Sequence, residues 1–343
     1  MELTPRKRAI LEAIVKYHIA TGEPVGSKWL TGVLKNAPSS ATLRNEMSDL
    51  CSLGYLEQPH TSAGRVPTGK GYEFYVNRLM NEENLPESLK QVIDRELDAA
   101  STDIETLPKA AAKLLSRITG LPAFCAEIAD DSLMVKRVEV IPMGGHLVMM
   151  VVFTSDCRAG SKLCRSGCPL NGDKLAVLES LIKSGVEGKP INALSAGEMQ
   201  NILSRAGINT LEFLPIIACL FDMIKDMGKS TIELTGESFL YSVFSGGSYR
   251  QELISFIERK EGILSLISEP KEKAAVIFGS TTGYSELDRS TLVVASYGPG
   301  DSLAGRLGVI GPTRMSYGII LSGIAYITAR VSKLMTENLE FAQ

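Results

Sequence analysis

Arg44 and Asn45 stand side by side in Ser39-Ser40-Ala41-Thr42-Leu43-Arg44-Asn45-Glu46-Met47, a segment whose residue types suit the reading of DNA. A guanidinium can bond guanine O6 and N7 together, and an asparagine amide can pair with adenine N6 and N7. At 100° per residue, Leu43, Met47, Leu50 and Leu53 fall on one side of a helix. Ala41, Arg44, Asn45, Ser48 and Ser52 fall on the other, where small residues permit close approach to a groove. Ser39, Ser40 and Thr42 sit at the positive end of that helix, placed for phosphate. Farther along, His60, Thr61, Ser62 and Arg65 offer donors on a glycine-bearing loop. These residues form the candidate DNA-binding set; the competing reading is a surface helix with an ordinary polar face.

The elements that must position them follow from local signals. Thr4-Pro5 reads as an N-cap and first helical residue, with Ile10, Ile14 and Tyr17 on one face. Thr21-Gly22-Glu23-Pro24 ends that helix. Ser27 is expected to cap a short second helix bearing Trp29, Leu30, Val33 and Leu34, and Ser39-Ser40 a third, running to about Leu53. Tyr55–Gln58 and Arg65–Pro67 read as two short strands around a polar tip. Three helices and a wing in this order predict a winged helix-turn-helix over residues 1–80. That stretch holds ten Lys and Arg against seven Asp and Glu, net +3, so the rest carries −6 of the overall −3. A mildly basic module on an acidic body is consistent with an end that binds a polyanion.

Several strings here resemble the HrcA family of heat-inducible transcription repressors. They are Pro24-Val25-Gly26-Ser27, the Ser39–Met47 segment, Gly54-Tyr55-Leu56, and Gln58 to Thr68 followed by Gly71-Tyr72 and Phe74-Tyr75-Val76. Near the other end, Gly308 to Tyr317 resembles a second signature of the family. The likeness thins between about 155 and 235. It implies a homodimer on an inverted-repeat operator, the CIRCE element, before chaperone operons. It also implies help from a GroEL-type chaperonin and release by heat.

In the body, Thr68 can cap a fourth helix with Tyr72, Tyr75 and Leu79 inward, and residues 87–119 read as largely helical. Val138 and Val140 alternate with charges, and Leu147 to Phe153 is a continuous apolar strand after a turn at 142–145. Strands are expected again at Ala274–Phe278, Thr291–Tyr297 and Arg306–Ile310, before a helix with Ile320, Ile324, Ile327, Val331 and Leu334 on one face. The class is α+β, with a GAF-like domain over 87–165 and 236–343 and an inserted, largely helical dimerisation domain over 166–235. Within the insert, Phe213 to Phe221 is apolar almost all round and must be covered on more than one side. Phe213, Leu214, Ile217, Leu220 and Phe221 are the expected dimer contacts; burial within their own domain is the alternative.

No catalytic constellation is expected. His18, His60 and His146 lack ligand spacing, and no phosphate loop, nucleophile elbow or paired carboxylates stand out. Gly279, Gly283, Gly298 and Gly300 read as turns. Cys157, Cys164 and Cys168 lie close to Arg158, Lys162 and Arg165 and can bind metal or sense oxidants, but without a fourth ligand nearby they read as incidental. Arg314 can bind an anion or close a strand-to-helix turn. No cofactor or metal is expected. Met315 to Ala329, at 15 residues, is too short to span a bilayer. No signal peptide is read at the N-terminus, six cysteines are too few for a disulfide scaffold, and a cytoplasmic protein is expected. The rivals to a heat-released repressor are control by a small ligand and control by metal or redox state.

Overall fold

The computed structural model describes residues 3–61, 63–81, 83–103, 105–128, 133–156, 158–207, 210–244, 247–268, 274–300 and 302–340. Ser62 and Cys157 lie outside the described residues.

Helix α1 spans Pro5–Thr21; Thr4 Oγ1 accepts from the Lys7 amide at 3.3 Å, and Gly22, at φ 77°, ends it in the left-handed region. Ile10, Leu11, Ile14 and Val15 are fully buried, and Tyr17 packs 4.4 Å from Trp29 between ring centres. Helix α2 (Ser27–Val33) starts at the residue expected to cap it: Gly26 takes the cap position and Ser27 is already helical. Ser39 caps α3 (Ser40–Ser52) by accepting from the Thr42 amide. Strands β1 (Leu56–Glu57) and β2 (Val66–Pro67) pair antiparallel. Thr68 caps α4 (Gly69–Phe74), which widens into a π-helical turn over Tyr75–Leu79 and buries Tyr72 and Tyr75.

Helices α5 (Glu87–Ala100) and α6 (Leu107–Thr119) lead into β3 (Ala123–Glu127). There follow β4 (Val135–Gly144), β5 (Leu147–Thr154), β6 (Ala159–Arg165), α7 (Gly172–Gly185), α8 (Ala196–Arg205) and α9 (Thr210–Met227). The chain continues with β7 (Thr231–Thr235), α10 (Ser238–Val243), α11 (Gly247–Glu258), α12 (Glu261–Ser268), β8 (Ala274–Phe278), β9 (Ser290–Tyr297), β10 (Gly305–Pro312) and α13 (Tyr317–Glu340).

The protein is α+β. Its main sheet is antiparallel in the order β7-β3-β10-β9-β8. Alternate residues serve opposite faces, as strand geometry requires. Cys125, Val293, Ala295 and Leu307 join the core under α5, α6 and α13, while Phe124, Leu292, Val294 and Ile310 pack with Leu253, Phe256 and Ile263 of α11 and α12.

The strands divide differently from the expected boundaries. β4, β5 and β6 lie in a separate three-stranded sheet, although the sequence reading placed the strand pair of β4 and β5 in the same domain as the main one and did not foresee β6. Their inner residues Val138, Val148, Met150 and Val152 meet Leu178, Ile182, Ile202 and Phe213 from α7, α8 and α9. β7, assigned by sequence to the insert, instead pairs with β3 and closes that side of the main sheet. An apolar strand must be covered, but its composition does not say by which neighbours.

By length and composition, Tyr317–Asn338 passes for a membrane span, which the shorter run read from sequence did not. Its apolar stripe is packed instead: Ile324, Ile327 and Val331 are wholly buried in the core.

Candidate nucleic-acid interface

The N-terminal helices and the β1–β2 ribbon enclose a cleft of about 530 Å³, whose lining includes Lys28, Arg44, Gln58, Thr61 and Arg65. Its floor is set by backbone pairing. Val25 and Arg65 form an antiparallel bridge, and Gln58 Nε2 donates to the carbonyls of Thr61 and Ala63 at 2.9 and 3.1 Å, folding the loop tip.

On α3, Leu43, Met47 and Leu50 are buried, whereas Ala41, Arg44, Asn45 and Ser48 are exposed, as the periodicity predicts. Glu46 and Asp49 do not hold Arg44. Both carboxylates pair with Lys7 of α1, at 2.8 and 2.9 Å, and Arg6 adds a contact to Glu46 at 3.6 Å. The hydrogen bonds that Lys7 donates to Glu46 and then to Asp49 push its ammonium above the ordinary pKa. Among the described residues Arg44 makes no ion pair, so its guanidinium is available to a ligand. The buried Nε of Arg65 has no hydrogen-bond partner among the described residues, an unmet donor beside the same cleft.

The hydroxyls at the start of α3 are partly engaged. Ser39 caps the helix and lies 3.0 Å from the Thr42 hydroxyl, while Ser40 Oγ is 2.8 Å from Ser27 Oγ. His60 and Thr61 are exposed at the loop tip. Lys28 and Gln58, absent from the sequence-read set, join the cleft. Lys28 was visible as a basic residue in the first turn of α2, but nothing local reveals that it lines the same cleft as Arg44.

Outside this region, Phe213, Ile217 and Leu220 are wholly buried and Phe221 is nearly so, all within the core formed with β4–β6. They serve their own chain and are not free to form an interface; of the five expected contacts, Leu214 alone is substantially exposed. Cys164 is disulfide-bonded to Cys219, 55 residues away on α9, and Cys168 Sγ accepts from Lys174 Nζ at 3.4 Å. No cluster of metal-ligating side chains occurs among the described residues. His18 is half-buried against Tyr72, and His146 Nδ1 lies 3.2 Å from the Ser166 carbonyl.

An exposed arginine and asparagine on α3 thus stand beside an arginine with an unmet donor, on an α+β body, and the relatives of this chain are transcription repressors. Sequence comparison gives the particular family. The model of the HrcA protein C-terminal domain matches residues 105–320. Heat-inducible transcription repressor HrcA of Clostridioides difficile strain 630 is 31% identical over 343 residues, covering 97% of this chain and 100% of that protein. The protein of the same name from Acetivibrio thermocellus is 29% identical over 338 residues, covering 97% and 96%. A crystal structure of a hypothetical protein at 2.2 Å resolution shares the fold, with a TM-score of 0.58 at 24% identity over 98% of this chain and 99% of that one. The chain belongs to the HrcA family.

Proposed function

We propose that this protein is a dimeric repressor of heat-shock chaperone operons, bound to an inverted-repeat operator of the CIRCE type and released by heat. The observation that carries the reading is the outer face of α3, where Arg44 and Asn45 are exposed beside Lys28 and Arg65. In this reading the first 80 residues act as a winged helix-turn-helix and the main sheet with its helices as a GAF-like domain. Val135 to Met227 serves as the inserted dimerisation unit. A two-fold operator calls for a two-fold protein, since equivalent half-sites must meet equivalent helices. The second copy meets the outer face of β4–β6, where Ile141, Leu147, Phe153 and Leu163 are 40–56% exposed. Cross-strand pairing sets Met149 between Ile141 and Leu163, so the apolar side chains form one patch.

Heat control needs only a modest margin. A loss of about 1–2 kcal/mol of folding stability shifts the active population several-fold, and a GroEL-type chaperonin with ATP returns molecules to it. Footprinting on inverted-repeat DNA, with and without chaperonin and before and after mild heating, tests the reading. Protection of both half-sites, lost on heating and recovered with chaperonin and ATP, is expected. No protection, or protection indifferent to both treatments, contradicts it.

The Cys164–Cys219 pairing favours one second reading, a repressor tuned by oxidants. Thiol titration before and after peroxide, alongside operator affinity, separates it from the first.

A further inference from the structure

Arg314 stands 295 residues from Ile19 in sequence, yet its Nη1 donates to the Ile19 carbonyl at 3.1 Å. The guanidinium thus sits at the carbonyl end of α1, where a cation complements the helix dipole and an otherwise open acceptor. Gly22, which ends α1, lies directly against it: a β-carbon there would lie 3.3 Å from Arg314 Nη1. Beside this contact the two units are joined by aromatic rings. Tyr72 packs 6.2 Å from Tyr317, Tyr317 5.9 Å from Phe278, and the Tyr317 hydroxyl donates to the Thr313 carbonyl at 2.6 Å. The junction borders a cleft of about 800 Å³ lined by residues of both units, among them His18, Tyr72, Arg289 and Arg314.

α1 is gripped at both ends. Its C-terminus is held by Arg314 of the body, while Lys7, in its first turn, is held by Glu46 and Asp49 of α3. A 17-residue helix is a rod of about 25 Å, so the body's hold on one end fixes the attitude of α3 at the other. We propose that Arg314 is a positioning residue for operator recognition, setting the orientation of α3 on the body so that the two α3 helices of a dimer reach both half-sites together. The assignment rests on the reading of α3 as the DNA-contacting helix.

Rigid linkage raises the affinity of paired sites through effective concentration and leaves each single site unchanged. The test uses full-length protein and a duplex that the wild type selects from random-sequence DNA. Three versions are compared: both half-sites, one half-site scrambled, and the spacer lengthened by half a helical turn, about five base pairs. Arg314→Ala is expected to weaken binding to the paired duplex about tenfold, to leave the single half-site unchanged, and to lessen the penalty of the longer spacer. Equal losses on paired and single duplexes overturn the proposal, since they mark a residue that only stabilises the N-terminal unit; so does no loss at all. If the wild type selects no inverted repeat, the reading of α3 fails and the proposal with it. A readout free of DNA is the His18 imidazole, which faces Arg314. Its NMR titration moves up in Arg314→Ala, and an unmoved titration contradicts the placement of the guanidinium.

Discussion

Val25 and Arg65 exchange both backbone hydrogen bonds, Val25 N to Arg65 O at 2.9 Å and Arg65 N to Val25 O at 2.8 Å. The exchange ties the ribbon to the turn before α2 and so fixes Arg65 relative to Lys28 and Arg44. It is possible because residue 64 is glycine: a β-carbon there would lie 2.4 Å from the Val25 carbonyl oxygen. Gly64→Ala is therefore expected to cost the N-terminal unit about 1–3 kcal/mol, the range for forcing an extra carbon into packed structure. Chemical denaturation checks this, and unchanged stability would mean that the ribbon and the turn do not meet so closely.

The dimer contact is predicted on the outer face of β4–β6. Phe153→Glu alters an exposed residue, so light scattering should report a monomer while the melting temperature stays near that of the wild type. Phe221→Asp should behave differently, because a carboxylate forced into the core of α9 costs several kcal/mol and melts the unit itself. A Phe153→Glu protein that remains dimeric places the interface elsewhere.

Closing Cys164 onto Cys219 constrains a loop of 55 residues in the unfolded chain. The chain-entropy account puts the stabilisation at about 4 kcal/mol or less. Reduction, or Cys164→Ser, should lower the melting temperature of the β4–β6 unit, with little change in the N-terminal one. Identical melting curves with and without reductant would show that the bond does not form in solution.

Acid should loosen the junction around His18. Burial, and secondarily the Arg314 guanidinium, hold its imidazole below the ordinary 6.5, with Glu23 opposing; the Tyr72 hydroxyl lies 2.6 Å from Nδ1. The unfolded chain then binds the proton more readily than the folded one. This contribution is complete above about pH 6.5 and is lost as pH falls toward the lowered folded value. His18→Gln should flatten the fall in melting temperature between about pH 7.5 and 5.5 relative to wild type. An equal slope in both proteins removes His18 from the account.

What the sequence disclosed was mostly local. Thr4-Pro5, Gly22, Ser39 and Thr68 mark helix ends through contacts within a few residues, so α1, α3 and α4 were legible. The same periodicity separated Leu43 and Met47 from Arg44 and Asn45. What escaped was long-range. Ala159–Arg165 has no alternation, and β6 exists because β5 offers it an edge. The pairing of β7 with β3 and the bond from Cys164 to Cys219 each join residues more than fifty apart. The apolar run of α9 announced burial but not whether its own chain or a second copy supplied the cover.

The central claim is that α3 reads the operator, and parallel binding titrations of Arg44→Ala and Arg65→Ala at several salt concentrations test it most directly. Arg44→Ala should cost roughly 1–3 kcal/mol on operator DNA and reduce discrimination against a scrambled duplex. Arg65→Ala should weaken both duplexes alike and make the slope of log affinity against log salt shallower by about one per site. If Arg44→Ala leaves the specific-to-nonspecific ratio unchanged, α3 does not read the DNA.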